Sequence, residues 1–367
     1  MAFKGVTPND PLTTYLVKHL LCREAEIQYA AGNIAREFLD PSIKTLRKIS
    51  ERYTEHTVGT LLTQPINTEQ EAVAYALYYL PVNFAKISRL LSYCSLPKDY
   101  SVLDYGSGPG TGSLAALFHS IRPSRIVCID HSSQMRKVAQ RLVSPQESVH
   151  PVLTTEYYSK LPEIPHKESF DLIIAANVLA ELSVEEGTGL IESLLKKIPP
   201  KGYLLLIEPG QCAHTRRLMT IRDTICSERS GIVPIFPCCR KDICPMLRKS
   251  DSDWCHGTIQ WERPRLIQQF DDVLEFNKHR LSYSAFIFQR EGSLPTGYRV
   301  IERGRRDRKG IQATLCGENF YGPVLLKPKT RSKENRALER SEVFDRLELS
   351  VPAKTDLPED TKVKSLD

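Results

Sequence analysis

No run of apolar residues in this 367-residue chain approaches the ~20 needed to cross a bilayer. The opening residues, MAFKGVTPND, lack the apolar core of a secretion signal and are not the Arg-rich, acid-poor helix of a mitochondrial presequence. The expectation is a cytoplasmic, bacterial-type protein without membrane attachment. A disulfide framework is then not expected for the ten cysteines, at 22, 94, 128, 212, 226, 238, 239, 244, 255 and 316. The C-x2-C pairs of an ordinary structural zinc site are missing too. So is the glycine spacing of a dinucleotide motif: after Gly106 and Gly108, position 111 is a threonine.

What is present begins at Ser101–Thr111, SVLDYGSGPGT. A short apolar run ends in Asp104, then Gly106, Gly108 and Gly110 follow, and an apolar helix-like segment continues from Gly112. Strand, glycine turn and helix open a nucleotide-binding α/β unit, because glycine lets a ligand approach the backbone and the helix offers free N–H groups. The D-x-G-x-G-x-G form is similar to motif I of class I S-adenosylmethionine-dependent methyltransferases. In those, the glycines wrap the methionine part of the cofactor and the acid stabilises the loop or the cofactor amine.

The alternation continues. Arg125–Ile129 reads as a second strand ending in Asp130, placed to accept from a ribose diol or to cap the following helix. A short third strand is expected near 152–154 and a buried fourth at 170–175, leading to Asn177 as ligand contact or N-cap. GYLLLI, 202–207, is the fifth, with a helix carrying Arg216, Arg217 and Arg222 after it. Upstream, residues 10 to about 95 read as helices. Leu12, Leu16, Leu20 and Leu21 share one face, and Ile27, Ile34 and Phe38 another. A capping sequence at Asn67-Thr68-Glu69 opens a further helix that Pro81 is expected to kink or end. Cys22, Cys94 and Cys128 read as small core residues.

Four cysteines fall within residues 238–255, in a proline-punctuated loop with little periodicity. Such a loop often needs a metal to fix it, and thiolates select zinc or an iron–sulfur cluster. His256 adjoins Cys255 awkwardly, and Cys316 is the candidate fourth thiolate. Net charge is +6, and it is uneven: RGRRDRK at 303–309 and KPKTRSKENR at 327–336 each hold five basic residues and one acid. Either a phosphate-rich partner or a solvated surface explains them.

Taken in order, AVAYALYYLP, LDYGSGPGT, FDLIIAANVLAEL, IEPG with Arg216 and Arg217, CCRKDICP with DWCH, and RKGIQATLCG with VLLKPKTRS resemble the methyltransferase-like small-ribosomal-subunit assembly proteins, over about residues 12–345. That family is known from mitochondria and has bacterial relatives, so the resemblance admits the mitochondrial matrix as the alternative compartment. It implies a class I methyltransferase fold, a Rossmann-like doubly wound α/β sheet. It also implies S-adenosylmethionine at Asp104, Gly106, Gly108, Gly110, Asp130 and Asn177, and a [4Fe–4S] cluster on Cys238, Cys244, Cys255 and Cys316, with zinc as alternative. Cys239 stands where the family's pattern has a proline, so a ligand swap with Cys238 stays open. The implied partners are the small ribosomal subunit and its RNA, met by Arg305, Arg306, Arg308, Lys327, Lys329 and Arg331, with the chain a monomer.

The expected organisation is a helical N-terminal region (1–98) and a cofactor domain (99–230 and 266–295) interrupted by a cysteine-rich insertion (231–265). A basic C-terminal β lobe (296–349) and a disordered tail (350–367) follow. No N-P-P-Y or D-P-P-Y clamp follows the fourth strand, and Pro237-Cys238 belongs to the cysteine loop, so no catalytic base is assigned. The intact glycine turn leaves three readings: an RNA methyltransferase, an inactive RNA-binding assembly factor, or a small-molecule methyltransferase.

Overall fold

The computed structural model describes residues 10–55, 65–228, 231–327, 332–358 and 361–366, with backbone only at 54, 55 and 228. Helices come first: α1 (Pro11–Leu20), α2 (Arg23–Ala30), α3 (Arg36–Glu55) and α4 (Glu69–Leu91). Asp10 caps α1 through the Thr13 N–H at 3.1 Å, and Leu12, Leu16, Val17 and Leu20 are its buried face. Ile27, Ile34 and Phe38 do not share a helical face. The chain breaks between α2 and α3, where Gly32 takes φ +130°, leaving Ile27 at 58% exposure and Ile34 buried. Cys22 is exposed at the start of α2, unlike the buried Cys94 and Cys128.

Thr68 and Glu71 form a reciprocal capping box at the start of α4. The helix runs on through Pro81 to Leu91, so Pro81 does not end it. Proline removes one helical hydrogen bond, a cost of roughly 3 kcal/mol. Burial of Leu77, Tyr78, Leu80, Val82, Ile87 and Leu90 around it offsets that, at about 1.5–3 kcal/mol per large apolar side chain.

Alternation follows: β1 (Ser101–Tyr105), α5 (Thr111–Leu117), β2 (Arg125–Ile129), α6 (Ser133–Val143), β3 (Thr154–Tyr158), β4 (Leu172–Ala176), α7 (Val184–Leu195) and β5 (Tyr203–Pro209). Then come α8 (Cys212–Glu228), β6 (Ile232–Phe236), α9 (Pro245–Lys249), β7 (Gly257–Gln260), α10 (Arg265–Leu274) and β8 (Arg280–Arg290). The C-terminal part holds β9 (Tyr298–Asp307), β10 (Gly310–Gly317), β11 (Tyr321–Leu326), α11 (Arg336–Arg340), β12 (Arg346–Leu349) and β13 (Val363–Ser365). The third strand starts two residues later than its edge of the expected range, at Thr154.

The chain forms two compact units. The first, 1–207 with 259–281, contains the parallel strands in the order β3-β2-β1-β4-β5. This is the Rossmann-like order of a class I methyltransferase fold, with the strand sequence reversing between β1 and β4. Val102, Leu103, Ile173, Ile174, Leu204 and Leu205 are fully buried, which explains why these strands read as continuous apolar runs rather than alternating ones.

The second unit, 208–258 with 282–367, pairs β6 with β8 antiparallel and adds a five-stranded antiparallel sheet, β11-β10-β9-β12-β13. Val300, Ile311, Leu315, Val324, Leu338 and Leu347 are among its core. The tail corrects the expectation of disorder. Val363 and Leu357 join this core at 6% and 4% exposure, and β13 pairs antiparallel with β12. Averaged polarity hid two apolar residues spaced to reach the sheet.

Candidate functional site

The first site lies at the carboxyl ends of β1, β2 and β4, where the strand order reverses and ligands bind in such sheets. Gly106, Gly108 and Gly110 have φ of +66°, +52° and +86°, a conformation that side chains rarely adopt. A Cβ at Gly106 would stand 2.0 Å from Val178 Cγ1, so close packing requires glycine there. Around the Cα of Gly108 a Cβ would meet nothing within 4 Å. That open space belongs to a cavity of about 550 Å³, a size suited to a small-molecule cofactor.

Of the expected residues, Gly106, Gly108, Asp130 and Asn177 line this cavity together. Asp104 and Gly110 do not. Asp104 is 2% exposed beneath the first turn of α5, where its Oδ2 accepts from the Ser113 N–H at 2.7 Å and the Ser113 hydroxyl at 2.8 Å. The acid therefore anchors the glycine turn to the helix. Burial pushes its carboxyl up to about 6, against those favourable hydrogen bonds. Gly110 packs against α6 instead, since a Cβ there would lie 2.7 Å from Val143.

Asp130 is not the helix cap; Ser132 caps α6. The Asp130 carboxylate accepts from the Gly108 N–H at 2.8 Å and the Ser132 N–H at 2.8 Å, tying the end of β2 to the glycine turn. Burial raises its pKa as well. Asn177 is not a cap either, because Ser183 caps α7. It sits at φ +58° and donates its N–H to the Ile207 carbonyl at 2.8 Å. Sequence reasoning missed the rest of the lining. Tyr53 and Tyr75 come from α3 and α4, Tyr105 is the last residue of β1, Lys160 follows β3, and Glu181 lies in a short turn after β4. Only Tyr105, inside the glycine motif, carried a local signal.

The second site is in the second unit. Cys238, Cys244, Cys255 and Cys316 all line one cavity of about 30 Å³. Cys239, its sulfur's neighbour in sequence, is 2% exposed and does not line it. All four thiols are free, and burial pushes those of Cys244, Cys255 and Cys316 up. His256 stacks on Trp254 with ring centroids 5.0 Å apart and is not part of the lining. Among the described residues, no three His, Cys, Asp or Glu side chains converge tightly enough to hold one metal ion. Four soft donors around a common space nevertheless match a thiolate-bound group in number and chemistry.

The basic residues are less concentrated than their sequence suggests. Arg305, Arg306 and Arg308 lie on the β9–β10 hairpin. Arg305 pairs with Glu302 at 3.0 Å, Arg306 with Glu339 at 3.8 Å, and Lys327 with Asp356 at 3.2 Å. The three paired cations remain more than half exposed, and exposed pairs of this kind contribute about 0–1 kcal/mol. Lys329 and Arg331 lie outside the described residues.

The profile of the family described as "Mitochondrial small ribosomal subunit Rsm22" matches residues 69–331. Two Schizosaccharomyces pombe relatives, Rsm22-cox11 tandem proteins 1 and 2, mitochondrial, are 25% identical over 198 residues. That alignment covers 49% of this chain, and the chain spans about a quarter (26%) of each relative's length. Among solved structures, the Synechocystis PCC 6803 magnesium protoporphyrin IX methyltransferase with bound SAM is 14% identical, covering 68% of this chain and 97% of that one, at a TM-score of 0.36. A SAM-dependent methyltransferase from Thiobacillus denitrificans, in complex with S-adenosyl-L-homocysteine, is likewise 14% identical over 56% of this chain and 91% of that one, at 0.34. At those scores the fold assignment rests on the strand order and not on the superpositions. The family match covers most of the chain, with the glycine turn and the four cavity-lining cysteines inside it, and the chain belongs to the Rsm22 family of mitochondrial small ribosomal subunit proteins.

Proposed function

We propose that this protein is a small-ribosomal-subunit assembly factor that binds S-adenosylmethionine in the first cavity and a [4Fe–4S] cluster in the second. The observation that carries the cofactor reading is the open space at Gly108 beside Asp130, in a cavity at the strand-order reversal. Gly106 and Gly108 would lie along the methionine part. Asp130, whose two oxygens each retain an accepting position, would take the ribose hydroxyls. Asn177 and the tyrosines Tyr53, Tyr75 and Tyr105 complete the wall. When bound, the cofactor supplies an electrophilic methyl group on a sulfonium. The residues of this chain bind and enclose it, but no base or amine clamp is identified among them. An inactive, cofactor-binding assembly factor is therefore favoured over an RNA methyltransferase, and a small-molecule methyltransferase is the weakest reading.

For the cluster, support comes from four cysteines lining one cavity, all thiols. Arg305, Arg306, Arg308 and Lys327 would meet RNA phosphates on the subunit. The family description and the names of the yeast relatives favour the mitochondrial matrix, the alternative compartment.

The test is calorimetry with S-adenosylmethionine on wild type and Gly108→Arg, with tritium transfer from labelled cofactor to isolated small subunits. Binding lost in the variant, without label transfer, is expected. Absence of wild-type binding refutes the cofactor reading, and Asp130-dependent transfer establishes the enzyme instead. Iron and sulfide analysis of protein purified without oxygen tests the cluster, and a colourless, zinc-only protein refutes it.

A further inference from the structure

The four cysteine segments are held by their backbones, and most of the holding comes from one helix. On α8, Arg216, Met219, Arg222 and Asp223 fall within an arc of about 120° at 3.6 residues per turn. Arg216 donates to the carbonyls of Ser250 at 2.9 Å and Asp253 at 2.6 Å, just before Cys255. The Cys255 N–H points to the Met219 sulfur at 3.4 Å. Arg222, 1% exposed, donates to the Asp242 carbonyl at 2.5 Å and to the Arg240 carbonyl. It also pairs with Asp223 at 2.7 Å, and the Asp223 carboxylate accepts from the Cys244 N–H at 2.9 Å. From the facing strands, Arg299 donates to the Pro237 carbonyl at 2.8 Å, beside Cys238. Arg240 in turn reaches the Gly317 carbonyl, beside Cys316, at 3.3 Å.

We infer that α8 is a template on which the cysteine site is formed before any metal arrives, with Arg216, Arg222 and Asp223 as positioning residues. None of the hydrogen bonds from these three to the loop uses a cavity-lining sulfur; each takes up a carbonyl or an N–H and leaves the thiols available. A loop with so little secondary structure would otherwise fold only with its metal. Here charged side chains satisfy its backbone groups, and hydrogen bonds to charged groups are the stronger kind. Arg222, Arg240 and Arg299 also line the cavity, so the template presents positive charge to an occupant bound by four thiolates. The ligand class, a thiolate-bound cluster, rests on the function proposed above. The preformed backbone does not.

Because Arg222 is almost fully buried, the variants are Asp223→Ala and the half-buried Arg216→Met, tested in the full chain. In metal-free wild type, hydrogen exchange is expected to show protected amides at Cys244 and Cys255. Asp223→Ala should lose protection at Cys244, and Arg216→Met at Cys255, with the β9–β10 strands unchanged as a control for folding. In protein loaded with iron and sulfide, each variant should release iron to a chelator on the order of tenfold faster or more, the usual effect of removing an outer-shell partner. Loss of the Arg216 or Asp223 charge should also move the cluster's midpoint potential, which a purely structural role would leave unchanged. Unprotected amides in the metal-free wild type, or variants matching wild type in exchange and release, overturn the inference. A wild type that takes up neither iron nor sulfide refutes the cluster reading alone, and the exchange measurement then decides the template by itself.

Discussion

Replacing Asp104 by asparagine is expected to remove a specific pH dependence from the stability of the first unit. Two effects oppose each other at this carboxylate. Hydrogen bonds from Ser113 and the amino end of α5 favour the charged form, and near-complete burial disfavours it. Burial wins, lifting the carboxyl from 3.8 to about 6. A raised folded-state value means that the folded chain holds this proton more tightly than the unfolded one. The contribution to stability is full below about pH 4 and is lost as pH rises through about 6. The shift of 2.2 units (6 minus 3.8), at about 1.36 kcal/mol per unit, makes the loss about 3 kcal/mol. Other groups titrate as well, so the quantity to measure is the stability of wild type minus that of Asp104→Asn, by urea unfolding from pH 4 to pH 7.5. This difference should fall by about 2.4 kcal/mol across the range, because at pH 4 an unfolded carboxyl at 3.8 is already more than half ionised and the rest of the loss lies below it. Carbon-13 titration of the Asp104 carboxyl reports the same value directly. A difference that stays flat or grows with pH, or a carboxyl titrating below 4, would show that the hydrogen bonds and helix terminus outweigh desolvation, and the reasoning would fail.

Three further outcomes can be checked. Asp130→Ala is expected to weaken S-adenosylmethionine binding by tenfold or more in calorimetry, since a hydrogen bond to a charged group contributes about 1.5–3 kcal/mol. Gly106→Ala should destabilise the first unit, lowering its thermal midpoint, because its Cβ would overlap Val178 at 2.0 Å; Gly108→Ala meets no such neighbour and pays only for its positive φ. Cys244→Ser should abolish iron retention, whereas Cys239→Ser, whose sulfur is outside the cavity lining, should keep it.

Much of the sheet was legible because its signals are local. Buried parallel strands such as 172–176 and 203–207 are short unbroken apolar runs, and the glycine turn is a contiguous motif. Helix ends were legible where caps are local too, as at Thr68. The errors fell where distant packing overrides a local preference. Pro81 does not stop α4, because the helix is buried along its length. The polar tail becomes an edge strand, because Leu357 and Val363 find a core that other segments build.

By itself the sequence determined the α/β alternation, the glycine turn, the presence of enough thiols for a four-ligand site and the family to which these belong. Each of these is written in residue type and short spacing. The tertiary structure alone decided which of these residues face a ligand. It turned Asp104 away from the cavity to anchor α5, and it brought Tyr53 and Tyr75 to the cavity wall. It gathered Cys316 with cysteines more than sixty residues earlier and set Cys239 aside from Cys238. It also set the arginines of α8 against the backbone of the cysteine loop. Direction and burial of a side chain depend on contacts distant in sequence, and neither composition nor periodicity encodes them.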